Sequence, residues 1–136
     1  MSDEVKTLSP PEAYKFLQAH PNAVFIDVRS HMEYLFVGHP VGAIHIPWID
    51  EPDWKLNPHF LTQVRQAILG GATGTAPVVL ICRSGVRSLE AGETLLKAGI
   101  KEVYNVTEGF EGQLDDQHHR GSQNGWRFHG LPWEQC

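Results

Sequence analysis

The sequence predicts an α/β fold: three α/β/α layers around a mostly parallel central sheet of about five strands, in one domain spanning 1–136. Three observations predict it. Residues 23–28 and 78–81 form near-continuous apolar runs, the pattern of strands buried on both faces. Segments with helical spacing and capping signals alternate with such runs, which implies βαβ units. A chain of 136 residues buries roughly two thirds of its unfolded surface, enough for one core without staples.

The elements follow in order. Ser9 caps a first helix, with Pro10 at the first helical position and Glu12 completing a capping box. Ala13, Phe16 and Leu17 give its apolar face, and His20-Pro21-Asn22 ends it. After the strand at 23–28, Ser30 and Glu33 form a second capping pair, for a helix that Gly38 stops. Residues 39–47 read as a short strand between turns, and 48–57 as an acidic surface loop. Asn57-Pro58 starts another helix, carried by Phe60, Leu61, Val64, Ile68 and Leu69 at helical spacing. Residues 70–75 are a flexible connector. The strand at 78–81 runs into Cys82 and a polar loop to Ser88. A helix from Leu89 ends at Gly99, and Gly92 inside it signals close backbone packing. Residues 103–106 form another strand. Beyond Thr107 the sequence predicts a helical turn near Phe110, a polar loop through Gly121 and a packed end around Trp126, Leu131 and Trp133.

Composition excludes several function classes. The net charge of −5 argues against a nucleic-acid surface or a polybasic membrane contact. No apolar stretch approaches the ~20 residues of a membrane span. The N-terminus is polar and has no secretory core, so the expected compartment is the cytoplasm. Two cysteines, Cys82 and Cys136, are too few for a disulfide framework. Cys136, at the last position, reads as incidental. The pair His118-His119 has no cysteine or carboxylate at zinc spacing, so no metal site is expected.

Cys82 has the distinctive setting. It stands where a strand ends, before a glycine-containing loop with two arginines and a helix start. Loop amides, the helix dipole, Arg83 and Arg87 all favour an anion there. In open α/β sheets ligands bind beyond the carboxyl ends of the strands, where Cys82 falls. On an acidic chain, two arginines so close together make a local positive spot suited to a small anion. Asp27 and Arg29, at the end of the neighbouring strand, read as an ion pair or hydrogen-bond anchor, with a rim role as the alternative. Glu33 reads as a brace for its own helix or a nearby loop.

Several stretches in this order resemble the rhodanese family, specifically single-domain sulfurtransferases. They are Asp27-Val28-Arg29, Glu33-Tyr34, Gly38 through Pro47, Cys82 through Ser88, Asn105-Val106, Glu108 through Gly112, and Gly130-Leu131-Pro132-Trp133. The resemblance covers nearly the whole chain. It implies a flattened α/β fold and a persulfide intermediate on Cys82. Arg83, Ser84, Gly85, Val86, Arg87 and Ser88 would cradle the substrate anion. It calls for no cofactor.

The expected donor is a small sulfur anion such as thiosulfate, and the acceptor is cyanide, a thiol or a sulfur-accepting protein. Two arginines would favour the thiosulfate dianion over mercaptopyruvate. Four residues separate Cys82 from Arg87, one fewer than in tyrosine-type and cell-cycle phosphatases, which suits sulfur better than a phosphoryl group. Two other readings are a persulfide carrier with little thiosulfate turnover and a catalytically silent binding module. The intact cysteine and loop disfavour the silent module.

Overall fold

The computed structural model describes residues 4–50, 53–70 and 76–135. The expected connector at 71–75 and Cys136 lie outside the described residues. A five-stranded sheet in the order β1-β8-β7-β2-β4, with every pairing parallel, forms the centre. Its strands are β1 (Lys6–Leu8), β2 (Val24–Asp27), β4 (Ile44–His45), β7 (Val78–Ile81) and β8 (Val103–Val106). Two small antiparallel ribbons flank it: β3 (His39–Pro40) with β9 (Trp133–Glu134), and β5 (Ile49–Asp50) with β6 (Lys55–Leu56).

Period-two alternation along the strands separates two cores. Val24, Ile26 and Val28 of one strand and Val78, Leu80 and Cys82 of its neighbour join Phe60, Val64, Ile68, Ala91 and Leu95. Those partners lie on α2 (Phe60–Gly70) and α3 (Val86–Lys97). Phe25, Val79 and Ile81 point the other way, onto Ala13 of α1 (Pro10–Ala19) and onto Phe110 and Trp126. The second face is thus covered partly by the irregular C-terminal segment. The expected three layers are present.

Local chemistry explains the ends. The Ser9 hydroxyl accepts from the Glu12 N–H while the Glu12 carboxylate accepts from the Ser9 N–H, so the predicted capping box is formed. Ser30 and Glu33 make the same reciprocal pair at 3.1 and 3.3 Å. The expected α-helix there is instead a π-helical turn over Glu33–Val37. Gly92 is buried: a Cβ there would lie 3.0 Å from Val5 and 3.2 Å from Val103, so the helix rides close to the sheet.

Three expectations are corrected. The strand expected at 39–47 is two short strands, β3 and β4, because the turn at Val41-Gly42 separates them. Trp48 is buried against Phe60 rather than lying on a surface loop. α3 starts at Val86, not after Ser88, so the loop following Cys82 is only Arg83, Ser84 and Gly85.

The topology fixes the site. From β2 the chain continues to β4 on one side; from β7 it continues to β8 on the other. The switch in strand order therefore falls between β2 and β7, and in open α/β sheets ligands bind at the carboxyl ends of the strands beside such a switch. Asp27 closes one strand and Cys82 follows the other.

Candidate active site

Cys82 is buried, at 1% exposure, and its Sγ faces one backbone amide and one hydroxyl, whose single proton is shared with Asn105 Oδ1. The Gly85 N–H donates to it at 3.1 Å and the Ser88 hydroxyl lies at 3.2 Å. Gly85 makes this possible. Its φ of +105° turns the chain sharply enough to aim its amide back at the sulfur, a conformation L side chains rarely adopt. A Cβ at Gly85 would also come within 2.3 Å of the Thr107 carbonyl oxygen.

Ser88 occupies the first turn of α3 and is fully buried. Its hydroxyl also sits against Asn105 Oδ1 in a short hydrogen bond. Asn105 Nδ2 in turn donates to the Gly85 carbonyl at 3.1 Å. Cys82, Ser88, Asn105 and Gly85 thus form a closed polar circuit inside an apolar core. Sequence reasoning placed Asn105 on a strand and gave it no role in the site. Its signal was an amide in a run of otherwise apolar strand residues.

The arginines divide. Arg83 is exposed and has no ion-pair partner among the described residues. Arg87 is not free: its two terminal nitrogens donate to the two Glu33 oxygens at 2.8 and 2.9 Å. This bidentate pair matches the Arg87 charge with a carboxylate. Burial alone would push the Glu33 carboxyl up. The Arg87 guanidinium, with the Ser30 N–H and hydroxyl, outweighs burial and holds it at about 2. Val86 is exposed at the start of α3 and contributes no side-chain donor, and Ser84 is half-buried beside it.

Asp27 and Arg29 form a buried ion pair. Both are fully buried, with Arg29 Nη2 to Asp27 Oδ2 at 2.7 Å and Nε to Oδ1 at 3.0 Å. Arg29 also donates to the Gly38 carbonyl and lies 4.4 Å over the Phe110 ring. Its Nη1 is 3.7 Å from Glu111 Oε2. One guanidinium thus ties the end of β2 to the π-turn and to the 110–111 turn. His39 and His45 flank Tyr34 in stacked contacts at 3.9 and 4.4 Å, a packing role. No group of three metal-ligating side chains occurs among the described residues.

A second layer backs the loop. The Phe110 N–H donates to the Cys82 carbonyl at 2.8 Å, and those of Glu111 and Gly112 donate to the Arg83 carbonyl at 3.0 and 3.2 Å. Gln113 Nε2 donates to the Ser84 carbonyl at 3.1 Å. The carbonyls point outward into this turn, which leaves the Gly85 amide free to face the sulfur.

The site is thus a buried thiol set against an amide and a hydroxyl at a sheet's switch point. The chain belongs to the rhodanese-like domain family, whose model matches residues 9–115. It is similar to the crystal structure of Rv0390 from M. tuberculosis, with 38% identity and TM-score 0.85, covering 98% of this chain and 99% of that one. It is similar to the thiosulfate sulfurtransferase GlpE of Actinobacillus pleuropneumoniae, 26% identical over 98% of this chain and 97% of that protein. The polysulfide-sulfur transferase homodimer of Wolinella succinogenes aligns at 26% identity and TM-score 0.63, over 97% of this chain and 80% of that one.

Proposed function

We propose that the protein is a sulfurtransferase that carries sulfane sulfur as a persulfide on Cys82. The observation that carries this reading is the setting of Sγ, with the Gly85 N–H at 3.1 Å, the Ser88 hydroxyl at 3.2 Å and, among the described residues, no histidine or carboxylate bonded to it. Such a thiol suits a reaction that needs an anionic nucleophile but no general acid. With thiosulfate as donor, the Cys82 thiolate attacks the outer sulfur. An S–S bond forms to Sγ, and the bond to the sulfonate breaks with its electron pair leaving on sulfite. The Cys82 persulfide is again an anion, held by the same donors. Cyanide or a thiol then takes the terminal sulfur and returns Cys82 as thiolate, a covalent two-step cycle.

Membership in the rhodanese-like family, and the similarity to a thiosulfate and a polysulfide sulfurtransferase, support sulfur transfer. Thiosulfate or a related small anion is the donor we favour. The short loop suits one sulfur atom better than a phosphoryl group.

Mass spectrometry of the intact protein after thiosulfate treatment tests the reading. One added sulfur is expected on wild type and none on Cys82→Ser. Folded wild type that gains no sulfur from thiosulfate or polysulfide overturns it. Steady-state transfer to cyanide then separates enzyme from carrier: persulfide formation with very low kcat/KM marks a protein that delivers sulfur to a partner protein.

A further inference from the structure

The pairing of Arg87 with Glu33 leaves the site one matched arginine and one, Arg83, with no ion-pair partner among the described residues. A third arginine lies close by, in a part of the chain that neither the strands nor the Cys82 loop explains. Residues 113–125 leave the turn that backs the loop, make a polar excursion and return to it. The excursion is built, not slack. The Asp115 carboxylate accepts from the Gln117 and His119 N–H groups at 2.8 and 2.9 Å and from the Ser122 hydroxyl at 2.5 Å. Asn124 Oδ1 accepts from the Gln113 N–H at 2.7 Å, and the Trp126 N–H donates to the Gly109 carbonyl at 2.8 Å.

At its apex, Arg120 reaches back. Its Nη1 donates to the Gly112 carbonyl at 2.7 Å, while the N–H of that same Gly112 donates to the Arg83 carbonyl at 3.2 Å. One residue thus separates the Arg120 guanidinium from the backbone of the Cys82 loop. Arg120 has no ion-pair partner within 4 Å among the described residues. Burial and the neighbouring Arg83 guanidinium push its pKa down, Arg87 acts in the same sense, and Glu111 and Glu33 oppose them. Arg120 is still a permanent cation at neutral pH. Two guanidiniums without a pairing carboxylate among the described residues, tied through Gly112 to the same stretch of backbone on a protein of net charge −5, are an arrangement that an incoming anion relieves.

We propose that Arg120, together with Arg83, forms the cationic mouth of the Cys82 site and makes it selective for anionic sulfur donors. This rests on the reading of Cys82 as the reactive thiol. It gives residues 113–125 a purpose: they carry a charge to the site that the loop itself has neutralised by pairing Arg87. The ligand class is a small anion bearing sulfane sulfur, with its charged end toward the two arginines and its sulfur toward Cys82.

The test compares two alkylating reagents of similar size, in a Cys136→Ser background. Iodoacetate is an anion and iodoacetamide is neutral, so the ratio of their rates at Cys82 reports the potential at the mouth without requiring sulfur transfer. Arg120→Gln keeps a side-chain donor for Gly112 and removes the charge. The expected result is a fall of about three- to fivefold in the iodoacetate-to-iodoacetamide ratio at low salt, the effect of one unit charge several ångströms away in a wet site. The fall shrinks in high salt. Arg120→Lys retains the wild-type ratio. An unchanged ratio in Arg120→Gln overturns the proposal, as does an equal fall in Arg120→Lys or equal slowing of both reagents, since those mark a structural anchor. If wild-type Cys82 reacts with neither reagent, the reactive-thiol reading fails and this inference with it.

Discussion

Arg87 and Glu33, 54 positions apart in the chain, meet in two parallel hydrogen bonds of 2.8 and 2.9 Å at the rim of the Cys82 site. Each end is already fixed by its own element. Glu33 closes the capping pair with Ser30, and Arg87 lies in the first turn of α3. The pair therefore clamps the π-turn to the helix that carries Ser88.

Glu33→Gln is expected to lower stability at neutral pH by about 2–3 kcal/mol, because it leaves a half-buried guanidinium facing a neutral amide. For a domain of this size that is a drop of roughly 10 °C in Tm. Thermal unfolding of wild type and variant checks it.

The same pair sets an acid limit. The Glu33 carboxyl titrates at 4.5 unfolded and at about 2 folded. Above 4.5 both states are ionised and the pair contributes fully. Between 4.5 and 2 the unfolded chain takes up a proton that the folded protein refuses, so stability falls as pH falls. The loss attributable to this group is about 3 kcal/mol. Urea unfolding across that range should show the stability gap between wild type and Glu33→Gln closing toward pH 2.

Gly85→Ala is expected to disable the site. The new Cβ meets the Thr107 carbonyl at 2.3 Å, and φ of +105° is itself strained for alanine. A cost of at least about 2 kcal/mol follows, with loss of the amide that faces Cys82. Urea unfolding checks the first part, and iodoacetamide labelling of Cys82 the second.

The polar circuit gives a paired prediction. Ser88→Ala removes the hydroxyl beside the sulfur and should lower kcat/KM about threefold, less than a full hydrogen bond to an anion because its one proton is shared with Asn105. Asn105→Ala leaves the buried Gly85 carbonyl without its donor and should cost about 2 kcal/mol of stability. Because the two residues touch, the double variant should lose less than the sum. Unfolding and steady-state kinetics on the three proteins measure both.

Much of the scaffold was legible because its signals are local. The Ser9 and Ser30 caps, the apolar runs of β2 and β7, and the thiol at a strand end each need only a few neighbouring residues. What was hidden depends on distant partners. β1 is a three-residue segment, Lys6–Leu8, made a strand only by its pairing with β8. The early start of α3 has no side-chain cap to announce it; its cap is Gly85 in a left-handed conformation. Arg87 carries the sequence pattern of an anion ligand, and nothing nearby marks Glu33 as its partner. Arg120 lies in a stretch without periodicity, where its aim depends on Asp115 and Gly112 folding the excursion back.

The lamination of turns behind Cys82 makes the site's order observable from amides with no chemistry of their own. Phe110, Glu111 and Gly112 can exchange their protons with solvent only when they release the Cys82 and Arg83 carbonyls. Deuterium uptake at these three positions is therefore a clock for opening of the sulfur-bearing loop. It can be read without any turnover, and a persulfide that tightens the loop would slow it.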